Sequence, residues 1–160
     1  MTIYFGYDKP KVIQALRYHF INRPEIRMMI ILVNVFAIIS IVLYALGKIQ
    51  PLAFLVFSLL WVILMISFWY LLPLAVYRRA LTFKHEFSMD FRTEGFTLGH
   101  EGGGSKTWNW DAVKHFVESP HFFHLYFDSR SFFLVPKDGC KDSDEVHELR
   151  QLIKSKVVKR

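Results

Sequence analysis

The sequence predicts an α+β membrane protein, in which a transmembrane helical hairpin is joined to a small curved antiparallel β-sheet capped by a C-terminal α-helix. Three observations predict this class: two long runs without charge, a change of the hydrophobic period to two residues after them, and an amphipathic stretch at the end. We divide the chain into an N-terminal strand and amphipathic helix (1–27), the hairpin (28–76) and the β-domain with its final helix (77–160).

The two uncharged runs occupy residues 28–46 and 52–76. A helix rises about 1.5 Å per residue, so each run can cross a hydrocarbon core about 30 Å thick. Between them lies GKIQP, in which Gly47 suits the left-handed end of one helix and Pro51 suits the start of the next. The rest of the chain is too short to surround two such helices with a soluble core, and we therefore predict a hairpin in the membrane.

Basic residues predict the orientation of this hairpin, because lysine and arginine near the ends of spans are retained in the cytoplasm. Arg23, Arg27, Arg78 and Arg79 flank the two spans, whereas the turn between them contains only Lys48. We expect a multi-pass protein of the cell inner membrane with both termini in the cytoplasm. The net charge of +6 follows this distribution, which favours membrane lipids and not nucleic acid as a partner.

Beyond residue 79 the chain reads as short strands separated by turns. In FKHEFSMDF, Phe83, His85, Phe87, Met89 and Phe91 fall on one face of a predicted strand. Further strands are predicted in FTLG, KTWNW, VKHFVES, HFFHLYF and SFFLVP, with Gly, Pro, Asp and Ser between several of them.

The final segment predicts an amphipathic helix that closes the sheet. Asp142 or Ser143 can cap its start, and its last turns carry lysines that suit the helix dipole. Burial of its apolar stripe on the inner face of the strands is the simplest arrangement. The stripe contains Val146, Leu149, Ile153 and Val157.

The order of these elements resembles the bacterial YcxB-like family. The resemblance rests on the two adjacent spans, the segments TWNWDAVKHFVES, FFHLYF and FFLVPK, and the acidic terminal helix, and it covers roughly residues 82–157. It implies a pleckstrin-homology-like C-terminal domain, namely a curved antiparallel sheet capped by one helix. The family has no established activity, so the resemblance implies a fold and not a reaction.

No residue pattern in the sequence predicts catalysis, a cofactor or a metal. The spans contain neither a carboxylate nor a histidine, so no acid or base is available there. On one strand His121 and His124 would point to opposite faces, which prevents them from sharing a metal ion. In GGGSKT, residues 102–107, serine precedes the lysine and a strand follows it, unlike a phosphate-binding loop.

Two groups of residues are candidates for contacts with a partner. Trp108 and Trp110 fall on the same side of one predicted strand; both are core residues, or one of them lines a groove for a partner peptide or rests on the headgroup layer. In the spans, Ser40 and Ser58 are candidates for contact between the helices. Asn34 can bond within the hairpin or to a second copy.

The sequence therefore favours a non-enzymatic membrane protein whose β-domain mediates protein binding or self-association. Exposed sheet edges are suited to accept an extended peptide. Two alternatives remain open at this stage: a membrane immunity protein that blocks a membrane-acting toxin, and a module that senses anionic lipids.

Overall fold

The computed structural model describes residues 1–100 and 102–157, and it confirms the predicted α+β class with a helical hairpin. The described chain divides into two compact units. One contains residues 1–15 and the chain from residue 80 onward, and the other contains residues 16–79. Because the second unit lies between two parts of the first in sequence, it is an insertion in the β-domain.

Within the described residues, the β-domain contains seven strands and a C-terminal α-helix. The strands are β1 (Thr2–Phe5), β2 (Phe87–Phe91), β3 (Gly95–His100), β4 (Ser105–Asn109), β5 (His115–Glu118), β6 (Phe122–Tyr126) and β7 (Phe132–Pro136), and the C-terminal helix is α5 (Ser143–Lys156). They form two antiparallel sheets, of order β1-β2-β3-β4 and β5-β6-β7, where the sequence suggested one curved sheet.

The first strand belongs to the β-domain although the sequence groups it with the segment before the spans. β1 pairs with β2 over its whole length, from Thr2 opposite Asp90 to Phe5 opposite Phe87. The amino terminus extends this pairing by donating a hydrogen bond to the Phe91 carbonyl at 3.0 Å. The two strands that flank the inserted unit in sequence are thus neighbours in one ladder.

A common apolar core lies between the sheets and α5. Met89, Phe96, Phe116 and Leu125 are among its fully buried members, and the face of α5 predicted from sequence completes it. Asp142 caps α5, as predicted, because its side chain accepts a hydrogen bond of 2.8 Å from the Glu145 backbone N–H. The helix contributes Leu149 and Ile153 as buried residues, Val157 directly after its last residue is also buried, and Val146 packs against this core.

The predicted strand at residues 83–91 is correct only from Phe87 onward. Leu81–Lys84 form a 3₁₀ helix, and the Phe83 ring packs edge-on against Tyr7 at 5.1 Å. The strand does not begin before Phe87, because its two neighbours end opposite this residue. Phe87 is the first residue of β2 and pairs with both β1 and β3. His85, predicted on the apolar face of this strand, is exposed instead.

The inserted unit contains two helices that are long and apolar enough to cross a membrane. Helix α1 (Lys9–Asn22) leads into α2 (Pro24–Ala45). After a turn, the chain continues through α3 (Pro51–Ile66), a π-helical segment (Ser67–Leu71) and α4 (Leu72–Arg79). The buried share is only 6% for the first span and 0% for the second, unlike the core helices of a soluble protein.

The turn between the spans has the geometry that the sequence predicts. Gly47 adopts a φ of 67°, which is the left-handed region that favours glycine at a helix end. Pro51 occupies the first turn of α3, where its missing N–H leaves no bond unmade. Beside the turn, the rings of Tyr44 and Phe54 stack with centroids 4.5 Å apart and join the ends of α2 and α3.

Arg17 compensates for a proline in the second span. Pro73 has no N–H to donate to the Trp69 carbonyl, which precedes it by one helical turn. The Arg17 side chain donates from Nε to this carbonyl oxygen at 2.8 Å, and its guanidinium lies 5.8 Å from the centre of the Trp69 ring. Arg17 therefore fastens α1 to the π-helical segment.

We expect Arg17→Met to lower the stability of the inserted unit by about 1 kcal/mol, since a charge-assisted hydrogen bond is lost. In a Pro73→Ala background the loss should be smaller, because an alanine at this position can supply the missing N–H. Thermal unfolding of the full chain in detergent, followed by far-UV circular dichroism, measures both changes, with Arg27→Met as the control. Equal losses in the two backgrounds would contradict this account.

Candidate binding edge and the residues predicted from sequence

β4 is one of the two edge strands of the four-stranded sheet. No other described strand pairs with its outer side. Ser105, Lys106, Thr107 and Asn109 are exposed, and Trp108 is half-buried. An edge of this kind presents unpaired backbone N–H and C=O groups to any extended chain that approaches it.

The alternation of backbone hydrogen bonds identifies which groups of β4 are unpaired. The His100 N–H donates to the Gly104 carbonyl at 3.0 Å, and the Trp110 N–H donates to the Glu94 carbonyl at 3.3 Å. In an antiparallel ladder, every second residue between these two bonds faces the partner strand. The backbone groups of Lys106 and Trp108 therefore point toward β3, and the backbone groups of three other residues of β4 point outward. We call these groups, from Ser105, Thr107 and Asn109, the β4 edge.

The side chains of Lys106 and Trp108 lie together on the core-facing side of this strand. The Trp108 ring stacks on Phe96 with centroids 5.6 Å apart and packs against Phe127 at 5.9 Å. The Lys106 ammonium lies 5.0 Å from the centre of the Trp108 ring, which is within the range of a cation–π contact. A positive charge on an aromatic surface thus borders the β4 edge.

Trp110, the second tryptophan predicted for partner contact, lies in the core. It follows β4 in a short 3₁₀ helix and is only 4% exposed, so its ring offers almost no surface to a partner. Its Nε1–H donates to the Arg92 carbonyl at 3.0 Å, and its ring stacks on Phe91. The chain leaves the strand at Asn109, yet the Trp110 ring packs on Phe96 at 5.2 Å, as the Trp108 ring does at 5.6 Å, so both tryptophans lie on the core-facing side.

The polar residues predicted to join the helices of the hairpin make mainly local bonds. Asn34 donates to the Ile30 carbonyl at 2.8 Å, and Ser58 donates to the Phe54 carbonyl at 2.9 Å, each four residues earlier in its own helix. Ser40 and Ser58 both line an apolar groove of about 750 Å³ within the hairpin. Their position is consistent with the predicted helix contact, whereas Asn34 does not line this groove.

The four basic residues that flank the spans have different environments. Arg27, Arg78 and Arg79 are exposed. Arg23 is half-buried, with its Nε 3.8 Å from a carboxylate oxygen of Glu25. The three exposed arginines are therefore accessible near the ends of the helices.

Two histidines and the cysteine make contacts or are shielded within the β-domain. His124 is fully buried, with Nε2 2.9 Å from the Ser119 hydroxyl oxygen, and the His115 ring stacks on Tyr126 at 4.5 Å. Within residues 1–100 and 102–157, no three metal-ligating side chains form a cluster. Burial and nearby acids raise the pKa of the Cys140 thiol to about 11, so it is protonated at neutral pH.

An ion-pair cluster not foreseen from the sequence joins three elements of the domain. Glu118, at the end of β5, accepts hydrogen bonds from Lys137 at 2.7 Å and from Arg150 of α5 at 2.8 Å. Burial alone would raise the pKa of Glu118, but the bonds from Arg150 and Lys137 lower it to about 2. No sequence spacing could reveal the cluster, because its members come from distant segments.

The fold and its edge define a class of protein: a two-sheet β-domain into which a candidate transmembrane hairpin is inserted. Residues 91–153 match the family model described as YcxB-like protein, and this confirms the resemblance predicted from sequence. The match covers β3 to β7, the last residue of β2 and most of α5. No curated protein and no solved structure gives a significant match to the chain.

Proposed function

We propose that this chain is a non-enzymatic protein of the cell inner membrane whose cytoplasmic β-domain binds a protein partner or a further copy of itself. The observation that carries the proposal is the β4 edge beside the half-buried Trp108. The edge offers backbone bonds, and the tryptophan offers an aromatic surface; extended peptides are commonly recognised by these two contributions together.

The chain topology supports the proposed location of both termini on one side of the membrane. β1 and β2 are hydrogen-bonded neighbours, and the hairpin lies between them in sequence. Their pairing requires the chain to return to the side from which it left. The arginines at the span ends favour the cytoplasm as that side.

The division of strands into sheets of four and three, followed by one C-terminal helix, supports the proposal of a pleckstrin-homology-like domain. In this proposal the hairpin is an insertion between the first and second strands. Binding rather than catalysis suits such a domain, because Glu118 and His124 are engaged in structural contacts.

Lipids are the second proposed partner. No residue of α2 or α3 is buried, so in a membrane their side chains contact hydrocarbon. The exposed Arg27, Arg78 and Arg79 then lie near anionic headgroups. Protection against a membrane-acting toxin and sensing of anionic lipids remain alternatives without a structural feature of their own.

The test is a capture experiment from native membranes in mild detergent with the full chain as bait. We expect a protein to be recovered with the parent chain and lost at least tenfold with Trp108→Ala. Trp108→Phe should retain most of the recovery, because phenylalanine can still stack on Phe96 and Phe127. Amide hydrogen exchange first verifies that each variant is folded.

Equal recovery with the parent chain and Trp108→Ala would contradict the proposed site. Recovery of no protein at all, neither another protein nor a further copy, would overturn the proposed function. If only further copies of this chain are recovered, and Trp108→Ala releases them, self-association is the function of the site.

A further inference from the structure

The sequence of β4 restricts which strand can be added to it. A charged side chain on the core-facing side of an edge strand opposes indiscriminate pairing, since a neighbouring strand would cover the charge. Lys106 has this position, and among the described residues no carboxylate forms an ion pair with it. A strand that brings its own carboxylate would remove this obstacle.

The same argument disfavours pairing between two copies of β4. The strand Ser105–Asn109 contains no acidic residue. In a two-fold pairing centred on Thr107, each Lys106 would lie opposite a tryptophan and would gain no counter-charge. The charge of the edge therefore favours a different, acidic chain.

We propose that β4 accepts an extended segment of a partner protein as a fifth strand, and that this segment carries Asp or Glu directly opposite Lys106. The inference rests on the proposed binding function and specifies its partner chemistry. Backbone bonds to the β4 edge hold the segment, which presents an apolar side chain to Trp108 two positions from its acid. Lys106 thus selects the partner, while the backbone groups supply most of the binding.

A dodecapeptide library displayed on phage, selected on the full chain in nanodiscs, tests the inference. We expect enriched peptides to share strand-forming residues and one acidic position. A synthetic copy of the most enriched peptide is then measured by fluorescence anisotropy. Replacing its acid by the isosteric amide should weaken binding roughly fivefold, as expected for one cross-strand charge pair.

Two substitutions in β4 distinguish edge pairing from other modes. Thr107→Pro removes an outward N–H and leaves the bonds to β3 intact, so it should weaken peptide binding at least tenfold. The control Thr107→Val also loses the hydroxyl contact with Thr97 but keeps the backbone group, and it should bind normally. Lys106→Glu should redirect the selection from acidic to basic peptides.

Several results would overturn the inference. These are the absence of enriched peptides, unchanged binding by Thr107→Pro, and continued selection of acidic peptides by Lys106→Glu. Self-association that Thr107→Pro abolishes would assign the edge to a second copy instead. If a native partner depends on Trp108 but not on Thr107, the proposed function stands and the edge-pairing mode is wrong.

Discussion

Trp110→Ala is expected to lower the free energy of unfolding of the β-domain by about 3–5 kcal/mol, the usual cost of removing a large buried aromatic ring. The ring fills the core between Phe91 and Phe96, and its Nε1–H satisfies the Arg92 carbonyl. The substitution leaves a cavity and an unpaired carbonyl oxygen. Hydrogen exchange of the amides of β2 and β3 in the full chain measures the loss.

Trp110→Phe and Trp108→Ala serve as comparisons for this prediction. The phenylalanine variant keeps most of the volume but not the hydrogen bond, so it should cost less than the alanine variant. Trp108 is half-buried, and its loss should cost clearly less than that of Trp110. If both alanine variants destabilise the domain equally, the distinction between a core and an edge tryptophan is wrong.

Glu118→Gln should lower the free energy of unfolding by about 2–3 kcal/mol at neutral pH. The substitution leaves the charges of Lys137 and Arg150 in a half-buried site without their counter-charge, and breaking one partner of a buried pair is strongly destabilising. Hydrogen exchange of the full chain again provides the measurement. Glu148→Gln, on an exposed position of α5, is the matched control and should have little effect.

The stabilisation by Glu118 should also depend on pH. Because its pKa falls from 4.5 in the unfolded chain to about 2 in the folded domain, its contribution is fully present above pH 4.5. It is lost progressively as the pH falls from there toward about 2. The stability difference between the parent chain and Glu118→Gln should therefore shrink over this range, and a constant difference would show that the charge of Glu118 is not the cause.

Most elements of the fold could be predicted because short-range patterns determine them. Short strand-like segments bounded by turn residues located β3, β6 and β7, and the spacing of Leu149, Ile153 and Val157 located α5. These patterns fail where a neighbour is missing. The alternating stretch from Phe83 is a strand only from Phe87 onward; Phe83 and Lys84 lie in a 3₁₀ helix, and neither β1 nor β3 reaches them.

The candidate site was only partly visible in the sequence. KTWNW identified the strand with Trp108, but its place at the edge of the sheet depends on the order in which strands pair. The different burial of the two tryptophans also depends on tertiary packing, because both rings contact Phe96 but only Trp110 is fully enclosed in the core. Local alternation carries no information about either feature.

The two candidate spans, their turn at Gly47 and the helix α5 follow from the order of amino acids alone, because each depends on the chemistry of consecutive residues. The pairing of β1 with β2 across the inserted hairpin is visible only in the three-dimensional fold, where a Thr2–Asp90 bond links residues 88 positions apart. The same is true of the unpaired outer side of β4. The physical reason is that strand pairing depends on contacts between distant segments, whereas helices and turns satisfy their backbone groups locally.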